Sequence, residues 1–216
     1  IEAHLVLAEL RARTGRTREA RADLELLAKA HPADRAIRTE LALLRRALGD
    51  RLGAKALFDE TIKESDANKL NLDDPIQTYQ LAIAARYTAN FQLANSAFRE
   101  TLSGLPQFTE AGVAWADLFL AKYSAKPAAE TLEEVFKVNP NDPDAHAAMA
   151  EVIVETSYEL PAVRHHLDAA LKVNPKHTRA LRVRASIEID HAGFVAEPKC
   201  PPPGAIKRGA APAISV

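Results

Sequence analysis

Four prolines set the frame of this chain. Pro32, Pro106, Pro140 and Pro175 each close a stretch of apolar helical pattern, as in Leu27-Ala28-Lys29-Ala30-His31-Pro32 and Val135-Phe136-Lys137-Val138-Asn139-Pro140. Pro106 to Pro140 spans 34 residues, Pro140 to Pro175 spans 35, and Pro32 to Pro106 spans 74, which is two units of 34 plus six. A fixed period of this length marks stacked supersecondary units, none of which can bury its apolar face alone. The six extra residues are assigned to 69–74, between the second and third units.

Within this frame small residues recur where two helices of a hairpin must approach closely. They are Ala8, Ala42, Ala82, Ala116 and Ala150 on first helices, and Ala20, Ala54, Ala94 and Ala128 on second helices. A methyl group at a crossing point lets helix axes pack toward the short end of the usual spacing of about 8–10 Å. Helices are predicted near 2–13, 17–30, 35–48, 51–65, 75–88, 91–104, 109–122, 126–138, 143–156, 160–173 and 177–191. Asn139-Pro140-Asn141-Asp142 is the clearest punctuation, because it ends one helix and supplies a cap for the next. The expected fold is all-α, with five helical hairpins and a C-terminal capping helix in one domain over residues 1–195.

These positions resemble the tetratricopeptide repeat. Its large apolar positions are kept as Leu7, Leu41, Leu81, Trp115 and Met149 on first helices, and as Leu24, Phe58, Phe98 and Leu132 on second helices. Its turn position holds Gly15 and Gly49, then Ala89 and Tyr123. The pattern is degenerate: the family's early Trp is replaced by His4, Arg38, Thr78 and Gly112, and its later Tyr by Arg11, Arg45, Ala85 and Phe119. The resemblance covers roughly residues 1–190 and rests on the joint period. It implies a right-handed superhelix of about five repeats whose concave side is lined by the first helix of each hairpin.

Composition narrows the function. With 28 basic against 29 acidic residues the net charge is -1, so no global field draws the chain to nucleic acid or to an anionic membrane surface. Apolar runs fall far short of the ~20 residues that span a bilayer, so no membrane insertion is expected. The lone Cys200 forms neither an internal disulfide nor a cysteine-based metal site. No HExxH pair, phosphate loop or GxSxG elbow is present. His165 and His166 point about 100° apart on a helix, so they do not share a metal, although His146 stands one hairpin layer away. No enzymatic activity, cofactor or metal is expected within these residues.

What remains is binding. The family resemblance places Arg13, Thr39, Leu43, Arg46, Tyr79, Ile83, Arg86 and Tyr87 on the concave side, with Glu9 at its start. Asp117 and Glu151 follow, with Glu110, Asp144 and Glu155. The groove is thus expected to run from basic to acidic along the rod and to hold a protein or peptide partner. Arg grips carboxylates bidentately, and Tyr offers contact area with little rotamer entropy to lose. The Lys and Asn arrangement by which chaperone-binding relatives clamp a terminal carboxylate is not visible in the sequence.

Two other readings remain open. The start at Ile1 and the Pro-rich exit fit the repeat arm of a larger enzyme. Self-association through the end repeats would be driven by Ile1 and Leu5 at one end, and by Leu181, Val183 and Ile187 at the other. Residues 196–216 carry five prolines and few large apolar side chains, and are expected to be a disordered tail.

Overall fold

The computed structural model describes residues 2–195, apart from the side chains of Arg13 and of residues 190–195. The Pro-rich stretch lies outside the described residues. The helices are α1 (Glu2–Arg13), α2 (Thr17–Ala30), α3 (Arg35–Ala47), α4 (Arg51–Asp66), α5 (Pro75–Tyr87), α6 (Phe91–Gly104), α7 (Thr109–Lys122), α8 (Ala125–Val138), α9 (Pro143–Thr156), α10 (Leu160–Val173) and α11 (Thr178–Val195). No strand occurs among the described residues. Each odd helix pairs with the even helix after it, giving five hairpins and a closing helix.

Caps explain where these helices start. Asp34, Asp50, Asp74, Asn90 and Asp142 each sit one residue before a helix and accept hydrogen bonds from its first free N–H groups. Each such cap stabilises its helix by about 1 kcal/mol. Several ends, though not those of α2, α6, α8 and α10, are set by left-handed residues. Gly15 (φ +83) and Gly49 (φ +91) stop α1 and α3, and the N–H of the following residue reaches back five positions, Arg16 to Arg11 and Asp50 to Arg45. Asn68 (φ 54) and Ala89 (φ 65) do the same after α4 and α5, the latter with a side chain that resists this conformation. Tyr123 departs from the expected turn: its φ is -124, so α7 ends without a left-handed residue.

Packing follows the small-residue frame. Ala8, Ala42, Ala82, Ala116 and Ala150 are buried, as are Ala20, Ala54, Ala94 and Ala128 on the partner helices. The large residue preceding each first-helix alanine packs on the hairpin before it: Leu41 joins Ala8, Ala20 and Leu24, and Leu81 joins Ala42, Ala54 and Phe58. Leu7, with no earlier hairpin described beside it, stays 39% exposed. At the other end Val183 and Ile187 are buried against α9 and α10, whereas Leu181 and Ile189 are exposed. Leu5 likewise packs on the first core cluster, whereas Val6 and Leu10 of the same helix are exposed.

First helices touch the next first helix along the rod (α1 with α3, on to α9 with α11), and no such contact joins successive second helices among the described residues. The rod is therefore curved, with the odd helices on its inner side.

The departures from the repeat pattern have local causes. Arg38, where the family carries its early Trp, is buried and donates to Glu64 Oε2 at 2.7 Å, which also accepts from Arg35 Nε at 2.6 Å. Arg35 goes on to bond the Lys69 carbonyl (2.8 Å) and Gln77 Oε1 (2.9 Å), and Thr78, at the same repeat position as Arg38, bonds the Leu72 carbonyl (3.1 Å). The six-residue insertion is thus pinned by Thr78, which stands at the aromatic position, and by Arg35. In the fourth unit a Cβ on Gly112 would lie 2.4 Å from Val135 Cγ2, so α7 and α8 approach too closely there for any side chain.

In the fifth unit the same position is His146. Its Nε2 lies 3.0 Å from the Pro140 carbonyl and its Nδ1 lies 2.8 Å from Nδ1 of His166 on α10, with Phe136 stacked on His166 and tilted against His146. A carbonyl only accepts, so His146 carries its proton on Nε2 and offers the Nδ1 lone pair, and His166 donates from Nδ1. Both rings are neutral in this arrangement. Burial, with the neighbouring His146 and His165, pushes His166 down to about 4, and burial also lowers His146.

Both the turns and the histidine pair can be tested by stability measurements. At Gly49 an added Cβ meets nothing within 4 Å. Gly49→Ala is therefore expected to cost about 1 kcal/mol from backbone strain alone. Ala89→Gly should be neutral or stabilising, and urea unfolding of both variants checks the pair. For His166, the unfolded chain takes up the proton near 6.5 and the folded chain only near 4, so stability is complete above pH 6.5 and falls as the pH drops toward 4. Stability should therefore fall measurably between pH 7 and pH 5, and His166→Gln should flatten that slope.

Candidate binding groove

Three adjoining cavities run along the inner, odd-helix side. One of about 550 Å³ is bounded by Arg86, Asp117, Glu151, Arg179 and Arg182. A second, of about 290 Å³, includes Leu43, Tyr79, Ile83, Tyr87 and Glu110, and a third, of about 280 Å³, includes Arg46, Tyr87, Phe91 and Lys122. Arg86 borders all three.

Tyr87 ends α5 and stacks on Phe58 at 5.2 Å, while the guanidinium groups of Arg46 and Arg86 lie 4.4 and 5.2 Å from its ring centre. A guanidinium on an aromatic face is held by the ring quadrupole and by contact area. Arg86 also donates to the Ala114 carbonyl at 3.1 Å, which ties α5 to α7. Tyr79 sits deeper, between Phe98 and Phe108, and burial pushes its hydroxyl well above the usual tyrosine range. It belongs to the floor. Ile83 is 2% exposed and Leu43 is half-buried, so they too form the floor rather than the rim. Thr39 is buried and borders none of these three cavities. Arg13 lies outside the residues whose side chains are described.

The acidic end of the groove differs from the sequence expectation. Arg179 of α11 lies 2.7 Å from Asp117 Oδ1 and donates to Glu151 Oε2 at 2.6 Å, and Arg182 donates to the other Glu151 oxygen at 2.6 Å. With Arg86 3.7 Å from Asp117, an alternating ladder of five charges links α5, α7, α9 and α11. Burial opposes charge on Glu151, yet Arg179 and Arg182 outweigh it and hold the carboxyl below its ordinary value. Likewise Asp117 and Glu151 hold Arg179 charged despite its burial. Asp117 and Glu151 are therefore already matched by cations of this chain. Sequence reasoning misses Arg179 and Arg182 because the repeat pattern makes α11 a cap, whereas it is the sixth helix of the inner row.

No protein-family model matches the chain, and no curated protein sequence matches it. Solved structures do. TTC0263, a thermophilic TPR protein of Thermus thermophilus, superposes with a TM-score of 0.64 at 16% identity, over 87% of this chain and 98% of that one. The chain has a tetratricopeptide-repeat fold. YrrB, a TPR protein described as having an unusual peptide-binding site, superposes with a TM-score of 0.50 at 14% identity, over 84% of this chain and 90% of that one.

Among the described residues no group of three or more His, Cys, Asp or Glu side chains is arranged to hold a metal ion, and no helix is long and apolar enough to cross a membrane.

The ladder generates a stability prediction. Arg179→Ala removes the cation between two part-buried carboxylates, each of which keeps a second cation, Arg86 or Arg182, so the cost should be on the order of 1–3 kcal/mol. Arg182→Ala, at an exposed position, should cost less than about 1 kcal/mol. Chemical denaturation of the two variants beside the parent separates these outcomes.

Proposed function

We propose that this chain is a protein-interaction scaffold that holds a peptide along the inner side of its solenoid. One observation supports the reading above the others: the three cavities adjoin on the curved inner face, and Arg86 borders each of them. Their walls combine aromatic area from Tyr79, Tyr87 and Phe91 with guanidinium groups that are held in place. That combination binds peptide well, because little side-chain entropy is lost on contact. The peptide-binding site described for YrrB is consistent with this use of the fold.

In this reading Arg46, Arg86 and Tyr87 provide the directional contacts and Leu43, Tyr79 and Ile83 the apolar floor. Asp117 and Glu151 serve chiefly to hold Arg86 and Arg179 in place. The helical rod supplies rigidity.

Ala121 gives a clean test, since it is exposed and borders two of the cavities. Short peptides selected from a random display library against the full chain should lose binding to Ala121→Trp by about tenfold or more, equivalent to ~1.4 kcal/mol, at unchanged helicity. Selected peptides that bind the variant as tightly as the parent would place the site elsewhere and overturn the proposal.

A further inference from the structure

Cations that remain accessible to a ligand gather on one edge of the groove. Arg46, Arg86 and Lys122 each lie in the last turn of an inner helix, α3, α5 and α7 respectively. All three border the cavity of about 280 Å³, whose other walls are Tyr87, Phe91 and small or aliphatic residues, and no carboxylate is among them.

The three cations are not equally engaged. Arg46 rests on Tyr87 at 4.4 Å and Lys122 on Phe91 at 4.7 Å, and among the described residues neither forms an ion pair. Both are exposed. A ring face orients a cation without cancelling its charge. Arg86 shares Asp117 at 3.7 Å, but that carboxylate is held closer, at 2.7 Å, by Arg179.

Helix ends account for part of this charge. Each C-terminus carries roughly half a negative charge, so three of them offset about 1.5 units of the three positive charges. By contrast, the cations at the α11 end have their anions already, as the ladder through Asp117 and Glu151 shows. The groove therefore has a basic edge along the C-terminal ends of its inner helices.

We propose that the ligand is an acidic peptide segment whose side-chain carboxylates lie along this edge, one on the Arg46–Arg86 pair and the next on Lys122. This rests on the peptide-binding reading of the groove. In an extended peptide, residues two apart point to the same side at about 6.6–6.8 Å. Inner helices pack about 8–10 Å apart, and flexible Arg, Lys and Glu side chains cover the difference. The chemistry thus favours Asp or Glu at alternate positions.

The test uses the full chain and an array of randomised peptides, each synthesised with a free and with an amidated C-terminus. Bound peptides should be enriched in Asp or Glu at positions two apart. Amidation should leave binding unchanged, and Arg46→Gln with Lys122→Gln should weaken it about tenfold or more. Because both side chains are exposed, circular dichroism should show the fold intact. Binding should also weaken as salt is raised.

Peptides lost on amidation would assign the edge to a chain-terminal carboxylate and overturn the side-chain version. Peptides without acidic residues, or indifferent to the double substitution yet lost on Ala121→Trp, would overturn the acidic edge and leave the groove standing. Peptides indifferent to every variant, or no bound peptide at all, would overturn the groove reading and this inference together.

Discussion

The close crossing of helices at buried alanines is the constraint on which the structure depends. Ala42, Ala82, Ala116 and Ala150 have almost no exposed surface, and each lies where a first helix meets its hairpin partner. With no side chain beyond Cβ there, the large residue just before each alanine turns back onto the preceding hairpin, as Leu41 and Leu81 do. Intra-hairpin and inter-hairpin packing are thereby set by adjacent residues. Stability accumulates mainly through neighbouring hairpins along the rod.

Much of this is legible in the sequence because it is local. The period of the prolines, the alanines and the cap at Asp142 each act within a few residues of the chain, and the predicted helix ends lie within a residue or two of the observed ones except at the end of α11. Tyr123 breaks the expectation because a period predicts where a turn falls, whereas its backbone conformation depends on local geometry. Likewise Gly112 reads as a weak helix former, and only the 2.4 Å approach of Val135 to a Cβ there explains it.

The charges are less legible, for a physical reason. An ion pair between α7 and α11 joins residues 62 positions apart, Asp117 and Arg179, and no periodic pattern announces which of several arginines will reach which carboxylate. Residue type alone makes Asp117 and Glu151 look available, and geometry shows them occupied. The same geometry leaves Arg46 and Lys122 resting on aromatic rings instead of on carboxylates. His146 and His166 repeat the lesson: their types suggest metal ligands, and the structure makes them a neutral hydrogen-bonded pair closed by Phe136.

The central claim is that the inner face of the odd helices is the working surface. Amide hydrogen exchange of the full chain, measured with and without a bound peptide, addresses it directly. The account predicts slowed exchange confined to α3, α5, α7 and their C-terminal turns, with α4, α6 and α8 unchanged. Protection centred on α4, α6 and α8, or on the outer face of α11, would contradict it.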